Sequence, residues 1–133
     1  MNNADRKVPP EPLRVSILSQ GPYLIASIHT ALDDGQLTRF QRDLIDRIGT
    51  HRARGVIIDV AALDVLDSFA SRTLRDIARM GRLRGALTVI VGIAPDLAYS
   101  MVRLGIDLDL PTALDLEEGL AYLGAVTGPS VAR

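Results

Sequence analysis

Two short apolar segments, separated by a stretch of helical spacing, constrain this chain more than any other feature. Val56–Val60 and Leu87–Ile93 are rich in β-branched residues and lack the polar alternation of a strand with one wet face. Both are therefore predicted to be strands buried on both faces. A helix predicted from Ser68 to about Arg84 separates them, and a crossover of that length makes the two strands parallel. Parallel strands need helices on the faces of their sheet.

The rest of the chain extends this alternation. Turn signals and apolar spacing predict two strands at the start, three more helices and a short edge strand near the end. Their predicted positions are strands at 13–19 and 23–28, a helix from Asp33 to about Gly49, a helix from Pro95 to Gly105, an edge strand at 110–113 and a helix from Asp115 to about Gly124. The fold class is therefore α/β, with a mixed, mainly parallel sheet of roughly five strands flanked by four α-helices.

Length and composition predict a single domain with flexible ends. The 133 residues suffice for one core, and we assign 1–12 to a flexible N-terminal lead, 13–124 to the folded domain and 125–133 to a flexible tail. Fifteen basic and sixteen acidic residues leave no global field to attract nucleic acid or an anionic membrane. With no cysteine, no signal peptide and no apolar run of membrane-spanning length, the expected location is the cytoplasm.

The pair Asp67-Ser68 stands where a strand-end loop becomes a helix. Serine is a common N-cap residue, so Ser68 is predicted to cap this helix with its side-chain oxygen. The same position favours a phosphate, because unpaired N–H groups and the helix dipole attract negative charge there. From the spacing alone, a purely structural cap is the more economical interpretation.

No catalytic, metal or cofactor site is predicted. The flanks of Ser68 lack the glycines of a nucleophile elbow, and the only histidines available as a base are His29 and His51. Neither zinc-ligand spacing nor a phosphate-binding glycine motif is present. A small hydrolase that uses Ser68 as its nucleophile remains a minor alternative, and the chain is predicted not to be an enzyme.

Two charged features complete the sequence pattern. Arginines at three- and four-residue steps form one basic stripe on the helix after Ser68, whereas the segment 107–118 carries five acids and no base. The simplest interpretation is a pair of solvated surfaces. The alternative is docking to an acidic partner, or head-to-tail contact between copies, which predicts a homo-oligomer such as a dimer. The basic stripe comprises Arg72, Arg75, Arg79 and Arg82.

The segment Gly55–Asp59, Leu63 and the triplet Asp67-Ser68-Phe69 before a helix resemble the signature of the STAS domain, a family that includes anti-sigma-factor antagonists and C-terminal domains of sulphate transporters. The resemblance covers about residues 13–124, and is closest to the single-domain stressosome antagonists of the RsbS type. Phe69 and Ala70 replace the Ser-Gly of sporulation-type antagonists.

This resemblance implies that Ser68 is phosphorylated by a partner serine/threonine protein kinase and dephosphorylated by a phosphatase. It further implies that the unphosphorylated form sequesters the kinase within a large assembly built with longer STAS paralogues, and that the chain itself has no catalytic activity. The alternatives within the family are a free-standing anti-sigma-factor antagonist and a cytosolic STAS subunit that regulates a transporter.

The residues around Ser68 are expected to form the partner-binding surface. Asp59 is a weaker candidate, expected to orient the loop from the strand end; an equally good interpretation is that it only satisfies backbone N–H groups. The sequence does not decide whether Ser71 or Thr73 is modified as well. The predicted surround of the switch consists of Asp67, Phe69, Arg72 and Leu66.

Overall fold

A computed structural model describes residues 13–128, which form one sheet of five strands and four helices. The predicted class and order of elements are confirmed. The elements are β1 (Val15–Gln20), β2 (Tyr23–Ile28), α1 (Asp34–His51), β3 (Gly55–Asp59), α2 (Ser68–Leu83), β4 (Leu87–Val91), α3 (Pro95–Leu104), β5 (Thr112–Ala113) and α4 (Leu116–Thr127).

The strands lie in the sheet in the order of the sequence, β1-β2-β3-β4-β5. β1 is antiparallel to β2, whereas β2, β3, β4 and β5 are parallel. The β1–β2 pair is a tight hairpin, since Gln20 is paired with Tyr23. The other connections carry a helix or a long loop, as parallel pairing requires. The carboxyl ends of β2, β3 and β4 therefore lie along one edge of the sheet, and the starts of α1, α2 and α3 follow from that edge.

The two faces of the sheet are covered unequally. Alternate side chains of each strand point to opposite faces. Val56 and Ile58 of β3 belong to the large core cluster that includes residues of α1, α2 and α3. Ile57, between them, belongs to a second cluster with Val89 of β4 and Leu123 of α4. Because α4 covers this second face, both sides of β3 and β4 are buried, which explains why their sequences are continuously apolar.

Glycines allow α4 to approach the sheet closely. A Cβ on Gly119 would lie 2.6 Å from Cγ1 of Val91, and one on Gly55 would lie 2.9 Å from Cδ1 of Leu123. Real side-chain contacts are longer than this, so with any larger residue at either position the side chains between α4 and the sheet, or the helix itself, would have to shift. The dense packing of protein interiors makes such displacements costly.

Two predicted helix ends differ from the structure. α1 does not end near Gly49 but continues to His51, and Arg52 terminates it in the left-handed conformation with φ of 52°. α4 continues past Gly124 to Thr127, where Nη2 of Arg54 donates to the Thr127 carbonyl at 2.6 Å and the Tyr23 hydroxyl lies 2.8 Å from Oγ1 of Thr127. Residues 125–127 are therefore helical; the predicted lead 1–12 and the end of the predicted tail, 129–133, lie outside the described residues.

Candidate functional site

Ser68 is the first residue of α2, and its side chain is exposed. The N-cap is the preceding residue, Asp67, which has extended backbone angles and accepts a hydrogen bond from the Ala70 N–H at 2.8 Å through Oδ1. The prediction that Ser68 itself caps the helix is therefore wrong by one residue. Because the Asp67 carboxylate satisfies that N–H group, the Ser68 hydroxyl has no capping task.

The other hydroxyls of the first helical turns are buried. Ser71 is 3% exposed and Thr73 is 5% exposed. Oγ of Ser71 donates to the Ser68 carbonyl at 3.1 Å, and Oγ1 of Thr73 donates to the Phe69 carbonyl at 2.8 Å. Both side chains are thus on the inner face of α2 and bonded to the preceding turn. Of these three hydroxyls, only that of Ser68 is presented to an external enzyme.

The predicted surround of Ser68 divides into surface and core residues. Arg72 is exposed and Phe69 is half-buried against the main core, as a contact surface requires. Leu66, in contrast, is 3% exposed and belongs to that core, so it supports the loop from below and is not available to a partner. Its neighbour Val65 is 51% exposed and supplies the apolar surface that we had expected from Leu66. An irregular loop has no periodicity, which is why the sequence did not distinguish the two.

Asp59 lies at the end of β3 and organises the first part of the loop that leads to Ser68. Its Oδ1 accepts a hydrogen bond from the Ala61 N–H at 2.9 Å. The turn after β4 packs against the same place, since a Cβ on Gly92 would lie 3.0 Å from that oxygen. The Val60 N–H also donates to the Val91 carbonyl at 3.0 Å. Asp59 therefore satisfies a backbone N–H group, which was the alternative interpretation, and it holds the loop where the loop leaves the sheet.

The histidines are engaged or placed elsewhere. Nε2 of His29 lies 3.1 Å from Oγ of Ser16 in the neighbouring strand. His51 ends α1, which leads into the start of β3, at the opposite edge of the sheet from Ser68. Within residues 13–128, no group of three or more His, Cys, Asp or Glu side chains is arranged to hold a metal ion. The structure therefore pairs His29 with Ser16 and places His51 away from Ser68.

The basic stripe and part of the acidic segment are neighbours in the same molecule. Arg72, Arg75 and Arg79 of α2 line one shallow surface depression together with Asp107 and Asp109. Nη1 of Arg75 donates to the Asp107 carbonyl at 2.6 Å. Some of the charge complementarity that we had assigned to contacts between copies is therefore present within one chain.

The remaining acids of that segment serve α4. Asp115 is its N-cap and accepts from the Glu118 N–H at 2.9 Å, while Oε1 of Glu118 accepts from the Leu114 N–H at 2.9 Å. This is close to the capping box that the sequence predicts, although the Glu118 side chain bonds the residue before the cap. These local hydrogen bonds account for Asp115 and Glu118 without any contact to a partner protein.

α3 carries an exposed apolar surface that its sequence pattern does not predict. Tyr99 is 71% exposed, Val102 is 80% exposed, and Leu104, which its spacing predicts to be packed, is 61% exposed. Tyr99 and Val102 are one turn apart and lie side by side on the helix. Among the described residues, no helix is both long and apolar enough to cross a bilayer.

Comparison with known proteins adds a family to this geometry. The sequence model of the STAS domain matches residues 14–119. The chain is 30% identical over 90 residues to the "RsbT co-antagonist protein RsbRA" of Bacillus subtilis strain 168, an alignment that covers 67% of this chain and 33% of the relative. The chain thus spans about a third of the length of that curated relative.

Two solved structures match over nearly their whole length. A serine-to-glutamate variant of RsbS from Moorella thermoacetica is 34% identical, with a TM-score of 0.73, and the match covers 86% of this chain and 98% of that one. A chain in the solved structure of the stressosome, which is described as a signal integration and transduction hub, is also 34% identical, with a TM-score of 0.71. That match covers 86% of this chain and 100% of the other.

Proposed function

This chain belongs to the STAS domain family, and we propose that it is a non-catalytic regulatory subunit of a stressosome-type complex. In this proposal the unphosphorylated form sequesters a partner serine/threonine kinase, and phosphorylation of Ser68 releases that kinase. The observation that carries the proposal is the accessibility of one hydroxyl. Ser68 is exposed at the start of α2, whereas Ser71 and Thr73 are buried and bonded within the helix.

The domain itself tolerates a phosphate at this position. Phosphorylation adds about −1.5 to −2 charges at neutral pH. The N-terminal end of α2 favours that charge by about 0.3–2 kcal/mol, and the adjacent Asp67 carboxylate opposes it. The two effects have opposite sign, and solvent screens both because Ser68 is exposed, so we expect the fold to persist in both states.

The cost of phosphorylation falls on the complex. A partner that covers Ser68 also covers the exposed Val65 and the half-buried Phe69. Desolvating an unmatched dianion among apolar side chains costs several kcal/mol, which is more than the stabilisation that the helix dipole gives to a phosphate. Phosphorylation therefore expels the partner and does not unfold the domain.

The relatives support a large assembly of STAS proteins. RsbRA is a co-antagonist about three times as long as the matched region, and the stressosome chain comes from a multi-subunit architecture. By analogy, this subunit associates with longer STAS paralogues in the cytoplasm, forms a dimer within that assembly, and is reset by a phosphatase. The exposed apolar residues of α3 are consistent with contacts of this kind.

The direct test is phosphorylation in vitro. The purified chain is incubated with ATP and each candidate serine kinase from the same genome, and the modified residue is mapped by mass spectrometry. We expect one phosphate, at Ser68, and none on a Ser68→Ala variant. A Ser71→Ala variant is the matched control and should be modified as well as the wild type.

A second measurement separates the complex from a free-standing antagonist. Affinity purification of the tagged chain from its own cells should recover longer STAS proteins together with the kinase. Recovery of the kinase without any STAS paralogue would instead identify a free-standing anti-sigma-factor antagonist.

In the phosphorylation experiment, modification only at a hydroxyl other than that of Ser68 would refute the proposed switch.

A further inference from the structure

A groove between the edge strand β1 and helix α1 lies outside the Ser68 region and has no part in the proposed switch. Its apolar wall consists of Val15 and Ile17 from β1, Leu32 from the loop before α1, and Phe40 from α1. Phe40 is 3% exposed and anchors this wall in the main core. The groove has a volume of about 330 Å³, at the small end of the range of about 300–1,000 Å³ for small-molecule sites.

The polar wall of this groove is strongly basic. It is lined by Arg14, which precedes β1, and by Arg39 and Arg47 from α1. Asp43 is the acid among them. Arg39, Asp43 and Arg47 follow one another at four-residue steps, so they form one row along α1. Within this row, two guanidinium groups and one carboxylate leave an excess of positive charge, although the whole chain has a net charge of −1.

The free edge of β1 is partly closed by one of these arginines. The His29 N–H donates to the Arg14 carbonyl, so Arg14 and every second residue after it bond to β2. The backbone N–H and C=O groups of the residues between them, Val15, Ile17 and Ser19, therefore point away from β2. Nη1 of Arg47 donates to the Ile17 carbonyl at 3.0 Å. A capped edge opposes the addition of an extended peptide, because an added strand needs that carbonyl as an acceptor.

From these observations we propose that the β1–α1 groove is a binding site for a soluble organic anion with a carboxylate or phosphate head and a short apolar body. The body contacts Val15, Leu32 and Phe40, and the head binds the guanidinium groups of Arg39 and Arg47. Guanidinium groups bind carboxylates and phosphates in a bidentate manner, which gives such a head both charge and geometry to match.

Decanoate is a suitable probe, because it combines a carboxylate with a flexible apolar chain. Amide NMR spectra of the isotope-labelled full chain are recorded during titration with decanoate, with butyrate and with the neutral alcohol 1-decanol. We expect saturable shifts in residues of β1 and α1 for decanoate. Binding should be at least about tenfold weaker for butyrate, whose apolar chain is six carbons shorter, and for the alcohol, which lacks the charge.

Charge reversal on the groove tests the head-binding role. Arg39→Glu should weaken decanoate binding by about tenfold or more, since it replaces an attractive charge with a repulsive one. Arg82→Glu is the matched control: it makes the same change on the exposed last turn of α2, outside the groove, and should leave the affinity unchanged. Thermal unfolding of both variants verifies that they are folded.

Other results would overturn the proposal. These are the absence of saturable binding, shifts confined to residues outside β1 and α1, equal weakening by Arg39→Glu and Arg82→Glu, or binding to anionic phospholipid vesicles without binding of dissolved decanoate. Shifts in the groove that depend on protein concentration would assign it to a second copy of the chain. Groove shifts caused by deleting residues 1–12, with no decanoate binding before deletion, would assign it to the chain's own N-terminal segment.

Discussion

Helices α2 and α3 have the same place in the topology and very different surroundings. Each follows a strand buried on both faces and begins at the same edge of the sheet. α2 is capped by the Asp67 side chain and buries six residues, whereas the N-cap of α3 is Ala94, which has no side chain to cap the helix, and α3 buries two residues. α2 is thus a fixed platform that presents Ser68, while α3 is lightly attached and exposes apolar side chains. Equal connectivity does not give two helices equal anchoring or equal function.

The largest expected effect is on the core of α2. Leu74 is fully buried, so Leu74→Ala should lower the free energy of unfolding by about 2–5 kcal/mol through lost burial and a cavity. Val102→Ala, on the exposed surface of α3, should change it by less than about 0.5 kcal/mol. Urea unfolding of both variants measures the difference. Similar losses at the two positions would show that α3 is anchored as firmly as α2.

The next effect concerns the contact between the turns that precede the two helices. Gly92 has φ of 82° and approaches Ala61 and Asp59, so Gly92→Ala should destabilise the protein by about 2 kcal/mol or more. Gly105, at the end of α3, has φ of 68° with open space around it, so Gly105→Ala should cost only about 1 kcal/mol. Thermal unfolding of the two variants separates steric crowding, present only at Gly92, from backbone strain, present at both glycines. Equal losses of stability would show that backbone strain alone accounts for both.

The helix caps should give a smaller difference. Asp67→Ala removes the acceptor for the Ala70 N–H and should cost about 1 kcal/mol. Ala94→Ser introduces a cap at α3, where the backbone is already extended, and should stabilise by up to about 1 kcal/mol. Both values follow from chemical denaturation. If the α3 cap has no effect, the start of that helix is held by packing and not by its hydrogen bonds.

The smallest effect on stability is expected at Ser68 itself. Since Asp67 is the cap, Ser68→Ala and Ser68→Asp should each change the free energy of unfolding by less than about 0.5 kcal/mol. Under the proposed switch, Ser68→Ala binds the kinase constitutively and Ser68→Asp does not bind it. Calorimetric melting and a pull-down on the same samples test both points. An unfolded Ser68→Asp variant would contradict the claim that the domain tolerates the charge.

Most elements could be predicted because their signals are local. The apolar, β-prone sequence of β2 after a turn signal and the continuous apolar sequence of β3 and β4 identify strands, and the spacing of Leu37, Phe40 and Leu44 identifies α1. The positions that were misjudged depend on distant neighbours. Leu104 has the spacing of a packed residue, yet it is 61% exposed because nothing in the described chain covers that side of α3.

The α/β class, the order of elements and the location of Ser68 at a helix start can be read from the sequence, because hydrophobic periodicity and cap chemistry operate over a few residues. The identity of Asp67 as the cap, the burial of Ser71 and Thr73, and the shared groove of Arg14 with the arginines of α1 emerge only in the folded chain. Exposure and proximity depend on which segments pack together across the sheet. That packing is a property of the whole folded chain, and a local pattern does not contain it.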